Sequence, residues 1–379
     1  MRYYRLSAPI FAAKRMKARQ NSGRFYYPQI DGLRFVAFAL VMLHHGAAPP
    51  LFFLQKVNQI GWAGVDIFLV LSAFLIFSIL FIEDQRRGTI SLRRFYLRRV
   101  LRIWPLYYPY LIIALVMSSA THEHHLLVLE QHALPFLMFL GNFSFAYFPV
   151  TFDPLYSHLW TVCLEEQFYL VAPFLVLVFG QRLRQQMLPA VCILIAISMI
   201  WRIYMLALVP YPMVWVNPVT RIDPFAIGAL CAAIVHRRAA WLSLPGIGFA
   251  LALAGASGFV LIAQSPWIGL TLQTTWQLTV AALSGGCFVL SCLSNWGIGR
   301  LLSWGPLPFL GKISFGLYVY HAISLKLSSM LNTGGSSYAA EMSMAFAICI
   351  AISAASYLLY ERRFLQLKTR FETVQSRPP

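Results

Sequence analysis

Residues 34–45 read RFVAFALVMLHH, an apolar run that begins at Arg34 and ends at two histidines. If this run crosses a membrane, ionisable side chains within it are candidates for function. Arg34 and His45 are eleven residues apart, close to three helical turns, so both would lie on one helix face about 16 Å apart. In a structural alternative, Arg34 extends its charge to the membrane surface and His45 lies in a solvated loop.

The composition of the whole chain indicates a membrane protein. Hydrophobic residues make up 59% of the 379 residues and charged residues only 11%, whereas soluble proteins carry about 25% charged residues. This balance excludes an ordinary soluble domain. It predicts an all-α, polytopic integral membrane bundle.

Ten apolar segments are long enough to cross a bilayer. A further apolar stretch, 133–150, is interrupted by Pro135, Gly141, Asn142 and Pro149, so we expect it to be re-entrant or interfacial. The ten predicted transmembrane helices lie at about 32–51, 64–82, 104–120, 158–179, 188–208, 221–236, 247–264, 276–293, 308–330 and 342–360.

The basic residues are unevenly distributed between the loops. With ten crossings, the loops and tails on one side carry 24 of the 30 lysines and arginines, whereas those on the other side carry only Lys56. The positive-inside bias therefore predicts that both termini are cytoplasmic. Membrane topology thus accounts for most of the net charge of +17, and we predict the lipid bilayer, not nucleic acid, as a partner.

These patterns predict one membrane domain, at 29–364, between a basic cytoplasmic tail at 1–28 and a cytoplasmic tail at 365–379, in the plasma (inner) membrane. The first tail lacks the apolar core of a cleaved signal peptide. The six cysteines have no metal-binding spacing and lie in or beside apolar segments, so we predict neither disulfides nor a metal site. They are at positions 163, 192, 231, 287, 292 and 349.

A cluster of arginines lies between the second and third segments. Arg98 and Arg102 are four residues apart and Arg99 and Arg102 three apart, so helical folding would bring their guanidinium groups together. Arginine binds phosphate bidentately. The cluster therefore fits a phosphate-bearing donor, although binding of anionic lipid is an equally open interpretation.

The second and the fourth segments contain carboxylates. Asp66 lies near one end of the second, where it can cap the helix or pair with an arginine. Glu165 and Glu166 lie about two turns into the fourth, which begins near residue 158. An unpaired carboxylate in lipid is costly, so at least one of the two should face a polar cavity or an arginine.

Two later segments carry further polar side chains. Arg221 and Asp223 begin the sixth, where an ion pair is as consistent with the sequence as a catalytic role. His321 follows two tyrosines in the ninth. Taken alone, it is best interpreted as a hydrogen-bonded interior histidine.

Together these stretches closely resemble acyltransferase family 3, integral membrane O-acyltransferases that act on sugars and other hydroxylated compounds. The resemblance begins at residues 29–34, QIDGLR, and includes the spacing of an arginine, ten residues and a histidine that ends at His45. Ala73 and Arg363 depart from the family, which usually has glycine and proline there. The other matching stretches, in order, are 64–76, 95–107, 158–173, 221–230, 313–321 and 360–364.

The resemblance implies a ten-helix transferase that uses acetyl-CoA or another acyl-CoA from the cytoplasm. His45 matches the proposed catalytic histidine and Arg34 its motif partner. Arg99 and Arg102 match an element associated with the donor side, and Glu165 matches the more constant carboxylate. We also expect the membrane domain alone, without the soluble hydrolase-like domain that some relatives carry.

We therefore predict transfer of an acyl group, in the first instance acetyl, from acyl-CoA to a hydroxyl of a glycan or related cell-surface or secreted acceptor. A histidine such as His45, with an ordinary pKa of about 6.5, can take the hydroxyl proton or form an acyl-histidine. Glu165 or Asp66 would orient its ring, and Arg34 would bind the donor or stabilise the oxyanion. The further site candidates are Trp160, Asp66, Glu166, Arg221, Asp223 and His321.

Other functions remain open from the sequence. A transporter or flippase would also place buried arginine, histidine and glutamate around a central path, and a scaffold for polysaccharide assembly is a third possibility. We expect the acceptor to be selected by the outer loops, especially 121–157. The histidines of that loop, which are also weak metal ligands, are His122, His124, His125 and His132.

Overall fold

The computed structural model describes residues 25–121, 133–147, 153–208, 212–237, 240–265, 272–295, 297–332 and 337–375. Across these ranges the chain is helical and contains no β-strand. Most of the predicted N-terminal tail, residues 1–24, lies outside the described residues. The same holds for the histidines at 122, 124, 125 and 132 and for 148–150 of the interrupted stretch.

Within the described ranges, ten long helices and a further helix near residue 365 form the bundle. They are α1 (Pro28–His45), α2 (Ala63–Arg87), α3 (Leu92–Thr121), α4 (Trp160–Gln185), α5 (Met187–Leu208), α6 (Ile222–His236), α7 (Ile247–Gln264), α8 (Leu272–Leu293), α9 (Ser314–Leu331), α10 (Tyr338–Ser356) and α11 (Arg362–Thr369). Shorter pieces connect them: Phe52–Ile60, Leu134–Leu137, Gly141–Tyr147, Pro154–Ser157, Met213–Val216, Gly299–Leu302 and Leu307–Lys312, with a 3₁₀ turn at Ala240–Ser243 and a π turn at Tyr357–Glu361.

Each predicted apolar segment overlaps one of the helices α1 to α10. Within the described ranges, seven helices are long and apolar enough to cross a membrane, and α6 is a shorter apolar helix. The polar residues of α1 and α9 lower the mean hydropathy of these two helices. The all-α class is therefore observed, whereas the number of crossings stays a prediction.

The interrupted stretch forms two short helices instead of one long one. Between them Phe139 has a positive φ of 55°, which turns the chain sharply. Polar side chains of the long helices hold this turn: the Tyr107 hydroxyl donates to the Phe136 carbonyl, and the Gln167 amide donates to the Phe139 carbonyl. Whether the stretch enters the membrane remains a prediction.

Burial distinguishes central from peripheral helices. In α2 and α8, 72% of the most apolar stretch is buried, against 22% in α5 and 17% in α7. The exposed side chains of α5 and α7 are large and apolar, such as Ile200 and Leu253. A soluble protein rarely exposes such continuous apolar surface, so these faces fit a lipid environment.

The first and the last described residues meet at one end of the bundle. The Phe25 amide donates to the Gln375 carbonyl at 2.7 Å, and Arg98 forms a buried ion pair with Glu83 at 3.4 Å. We call this the basic end, because Arg86, Arg87, Arg93 and Arg94 also lie there. Helix α1 runs from the basic end to the opposite end, where His45 lies.

Candidate active site

Helix α1 connects two polar regions of the bundle. Pro28 begins it, at a position where a missing backbone N–H costs no helical hydrogen bond. The helix then runs without a break to His45 and ends at Gly46. Arg34 is in its second turn and His45 in its last, so the two predicted site residues lie in different regions.

Arg34 lies in a cavity at the basic end. Its Nε donates to Oγ of Ser314 at 3.0 Å, and its Cζ is 5.9 Å from the centre of the Phe68 ring. The cavity encloses about 860 Å³ when its open mouth is included. Its lining contains Phe25, Tyr26, Tyr27, Ile30, Asp31, Arg34, Ser72, Leu75, Ile76, Ile79, Arg99, Arg102, Ile103, Glu165, Tyr169, Phe315 and Lys368.

Glu165 lines the same cavity. The sequence predicts that at least one of Glu165 and Glu166 faces a polar cavity or an arginine. The Tyr169 hydroxyl, one turn further along α4, donates to Oε2 of Glu165 at 2.8 Å, and this hydroxyl also hydrogen-bonds Ser72 Oγ. The adjacent Glu166 diverges by about 100° on the helix. It does not line the cavity and lies instead near Trp104 and Arg99.

Two of the three predicted donor arginines, Arg99 and Arg102, line the cavity. The guanidinium of Arg99 lies over the Tyr169 ring, with its Cζ 5.5 Å from the ring centre. Arg98 is directed elsewhere: its Nη1 donates to the Phe371 carbonyl at 2.9 Å and its Nη2 pairs with Glu83. Adjacent helical residues point in different directions, so Arg98 and Arg99 take different partners.

At the opposite end, three histidines from different parts of the chain are in contact. The ring centres of His45 and His321 are 5.0 Å apart, and those of His321 and His158 are 4.6 Å apart. His45 is exposed, whereas the other two rings are buried. The packing of α1, α9 and the start of α4 thus brings together two predicted candidates and one residue that sequence reasoning did not select.

Backbone carbonyls determine which nitrogen of His45 and His321 carries the proton. Nδ1 of His45 lies 3.0 Å from the Val41 carbonyl oxygen, and Nδ1 of His321 lies 2.5 Å from that of Tyr318. A carbonyl only accepts, so each neutral ring is protonated on Nδ1 and presents an unprotonated Nε2. Nε2 of His321 is buried and has no hydrogen-bond partner among the described residues.

His158 is held differently. Its Nδ1 lies 3.2 Å from the Pro154 carbonyl oxygen and its Nε2 3.1 Å from that of Val319. The neighbouring Tyr318 hydroxyl donates to the His158 carbonyl at 2.8 Å. His158 therefore ties the start of α4 to α9 and supports the ring of His321.

Neither Asp66 nor Glu165 is placed to orient His45 as the sequence suggested. Asp66 is buried and ion-paired with Arg221, at 2.9 Å, while Glu165 accepts from Tyr169. The ring of His45 is instead oriented by the Val41 carbonyl on its own helix. The Val41 carbonyl lies one turn before His45 on the same helix. It can therefore accept a hydrogen bond from the His45 ring without any contact to a second helix.

The candidates Arg221 and Asp223 belong to buried ion pairs. Arg221 pairs with Asp66 and lies near Trp160, its Cζ 5.9 Å from the ring centre. Asp223 pairs with Arg202 at 2.6 Å, and both side chains are fully buried. None of these residues lines the cavity. Their arrangement supports the packing of α2, α4, α5 and α6.

Several residues of the two regions were not selected from the sequence. Tyr169 carried a usable signal, because it follows Glu165 by four residues in a helix. His158, Ser72 and Lys368 carried none, since their importance comes only from contacts between helices. In the described part of the chain, no group of three or more histidine, cysteine, aspartate or glutamate side chains could hold a metal ion.

Comparison with known proteins finds a family model and relatives that match most of the chain. The family model of an acyltransferase domain, that of acyltransferase family 3, matches residues 27–361. The peptidoglycan O-acetyltransferase OatA of Listeria monocytogenes serovar 1/2a is 28% identical over 328 residues, 81% of this chain and 50% of that protein. The O-acetyltransferase OatA of Staphylococcus aureus NCTC 8325 is 25% identical over 319 residues, 78% of this chain and 50% of that protein.

The putative peptidoglycan O-acetyltransferase YrhL of Bacillus subtilis 168 is 26% identical over 330 residues, 80% of this chain and 49% of that protein. The chain spans about half the length of these relatives. No solved structure matches it. The relatives do not favour the transporter alternative.

The matched range contains both regions that α1 connects: the three cavity arginines at the basic end and the three histidines at the opposite end. It also covers well over half of the chain. The protein therefore belongs to acyltransferase family 3, as the sequence motifs predicted.

Proposed function

We propose that this protein is a membrane O-acyltransferase that moves an acyl group, in the simplest case acetyl, from acyl-CoA to a hydroxyl of a glycan or related acceptor. The observation that carries the proposal is that α1 joins a cavity lined by arginines to a cluster of imidazoles. The relatives, which are named as O-acetyltransferases, support the same reaction.

The donor would bind in the cavity at the basic end. CoA carries several phosphate groups, and guanidinium groups bind phosphate oxygens in pairs. Arg34, Arg99 and Arg102 all reach this cavity from two helices. Glu165 would keep Arg34 in place, and the network of Tyr169 and Ser72 would hold Glu165 in turn.

The reacting groups would meet at His45. Nε2 of His45 takes the proton of the acceptor hydroxyl while the hydroxyl oxygen attacks the thioester carbonyl carbon. The C–S bond breaks, and the departing thiolate receives that proton and leaves as free CoA. General base catalysis of this kind contributes about 10²- to 10⁴-fold. If Nε2 itself attacks, an acyl-imidazole forms first and passes the acyl group to the hydroxyl, with the same products.

The acyl group would travel along the inner face of α1. The Phe68 ring lies between Arg34 and the ring of Tyr318, whose centre is 5.9 Å from that of Phe68. Tyr318 in turn contacts His321, with ring centres 5.5 Å apart. The arm that carries the thioester would pass these aromatic rings to reach His45. Nε2 of His321 would then be a second acceptor for the transferred proton.

We further propose that the acceptor approaches from the opposite end of the bundle, outside the cytoplasm. His45 is exposed there, and the positive-inside bias places the basic end in the cytoplasm. The protein would then use donor from the cytoplasm of a plasma (inner) membrane and modify an acceptor on the outer side. Peptidoglycan is the acceptor named for two of the relatives and is the first to test.

The test is acyl transfer by the purified full chain in lipid nanodiscs. With acetyl-CoA and soluble peptidoglycan fragments, we expect free CoA and O-acetylated fragments in equal amounts, measured as thiol release and by mass spectrometry. His45→Ala should lower kcat by about 10²-fold or more. His236→Gln is the matched control, because His236 is the last residue of α6 and contacts Phe81, away from the histidine cluster.

Two results would contradict the proposal. The first is a wild-type protein that binds no acyl-CoA. The second is His45→Ala with full activity. Transport of an intact substrate without release of CoA would support the transporter alternative instead.

A further inference from the structure

Helix α11 supplies a cation to the donor cavity from beyond the family match. The match ends at residue 361, whereas Lys368 of α11 lines the cavity together with Arg34, Arg99 and Arg102. Its side chain is only 8% exposed. Lysine is seldom so buried unless it is paired, so the position of Lys368 needs an explanation.

A change in helix geometry directs α11 toward the cavity. Helix α10 passes into a π turn at Tyr357–Glu361, and the Ser356 hydroxyl donates to Oε1 of Glu361 at 2.9 Å. A π turn contains an extra residue and often lies at functional sites. After it, α11 packs against α3, the helix that carries Arg99 and Arg102.

The residues after α11 are fixed to the basic end by several hydrogen bonds. The Phe371 carbonyl accepts from Arg98, the Thr373 hydroxyl donates to Glu83 at 2.7 Å, and the Gln375 carbonyl accepts from Phe25. We call residues 362–375 the C-terminal latch. Since Phe25 also lines the cavity, the latch and the first described residues meet beside it.

The charges of the residues that line the cavity do not balance. Its lining contains four cationic side chains, including Lys368, and two carboxylates, Asp31 and Glu165. Outside the lining, Oε1 of Glu372 lies 3.3 Å from Nζ of Lys368. Glu372 lies one helical turn after Lys368 in the same latch. It is close enough to pair with the lysine, and an oxygen of a ligand can replace it. A ligand with at least two negative charges, such as a phosphate group, fits this excess.

We propose that Lys368 binds a phosphate of the donor and that the C-terminal latch is part of the donor site. The inference rests on the proposed function. In this proposal Arg98 contributes to donor binding only indirectly. It hydrogen-bonds the latch instead of binding the donor. A phosphate group could also come from an anionic lipid, which the experiment must distinguish.

The experiment measures CoA affinity of the full chain in nanodiscs of zwitterionic lipid by titration calorimetry. Lys368→Met keeps the aliphatic stem and removes the charge, and we expect its Kd for CoA to rise about tenfold, the loss of one charge-assisted hydrogen bond. Lys368→Arg should restore most of the affinity. Lys326→Met, a lysine that does not line the cavity, is the matched control and should bind as the wild type does.

Glu372→Gln separates a ligand-binding role from a structural one. If Lys368 binds phosphate, removing its competing carboxylate leaves the affinity unchanged or increases it. If the ion pair merely holds the latch, Glu372→Gln weakens CoA binding as much as Lys368→Met does, which overturns the proposal. A lower melting temperature of Lys368→Met with unchanged Kd would overturn it as well.

Two further outcomes complete the test. If Lys368→Met loses bound anionic lipid in native mass spectrometry while its CoA affinity stays the same, the phosphate is that of a lipid and the proposal is wrong. If the wild-type protein does not bind CoA at all, the proposed acyltransferase function is wrong, and the role of Lys368 is wrong with it. Loss of binding in Arg99→Met but not in Lys368→Met would overturn only the role of Lys368.

Discussion

The three histidines of the cluster differ in their surroundings although their rings touch. His45 is exposed, whereas His321 is fully buried and lacks a partner for Nε2 among the described residues. A buried nitrogen without a partner is costly. A role of His321 Nε2 in proton transfer next to His45 would explain why this unfavourable burial is retained. His158, held by two carbonyls, is better suited to support than to chemistry.

Replacing His321 tests this interpretation of its ring. We expect His321→Asn to lower kcat by about 10²-fold and to leave the Kd for CoA unchanged, because His321 does not line the donor cavity. Steady-state kinetics and CoA titration measure the two quantities. Tyr320→Phe, one position earlier on α9, removes only a hydroxyl that bonds Ser356 and is the control. An equal loss of activity in both variants would indicate a general disturbance of α9.

At the scale of helices, buried polar contacts and close backbone approach fix the packing of α6. Arg202 of α5 donates to the carbonyls of Thr220 and Thr275, to the hydroxyl of Thr279 and to Asp223. All three guanidinium nitrogens of Arg202 are thereby paired. On its other side α6 packs closely against α2, where Gly228 lies beside Val70 and Ala73.

The ion pair of Arg202 and Asp223 predicts a large effect on stability. Asp223→Leu leaves a buried guanidinium without its counter-charge, so we expect a loss of about 3–5 kcal/mol. The double variant Arg202→Met, Asp223→Leu removes both charges and should recover most of it. Thermal unfolding in detergent, followed by tryptophan fluorescence, measures the change. A silent Asp223→Leu would show that the pair contributes nothing.

The contact at Gly228 predicts a second effect on packing. A Cβ added there would lie 2.7 Å from Cβ of Ala73, closer than two carbons can approach. We expect Gly228→Ala to destabilise the bundle by about 1–3 kcal/mol. Gly316→Ala is the control, since its nearest neighbour would be 3.4 Å away and helix propensity improves in both variants. If both variants melt at the same temperature, the close approach has no energetic effect.

At the scale of the whole molecule, the distribution of charge predicts orientation. We expect the exposed Gln55, after α1, to lie outside the cell and the exposed Arg237, after α6, to lie in the cytoplasm. In a variant whose six cysteines are serines, Gln55→Cys should react with an impermeant maleimide on intact cells. Arg237→Cys should react only after permeabilisation. The reverse pattern would place the donor cavity on the outer side.

Sequence reasoning located the helices well, because each is a continuous apolar segment whose hydrogen bonds are local. It also located Arg34, Arg99, Arg102 and Glu165, which line one cavity. It did not distinguish Arg98 from Arg99. Both are arginines on the same turn, and only the position of Glu83 and of the latch decides that Arg98 turns away.

By itself, then, the sequence determined the helical class, the apolar segments and the family, because periodicity and motif order are properties of the chain alone. The tertiary structure decided which polar residues meet. It placed His158 and His321 beside His45, paired Asp66 with Arg221 instead of the histidine, and brought Lys368 to the arginines. These outcomes depend on how separate helices pack, and a side chain 200 residues away in sequence leaves no local signal.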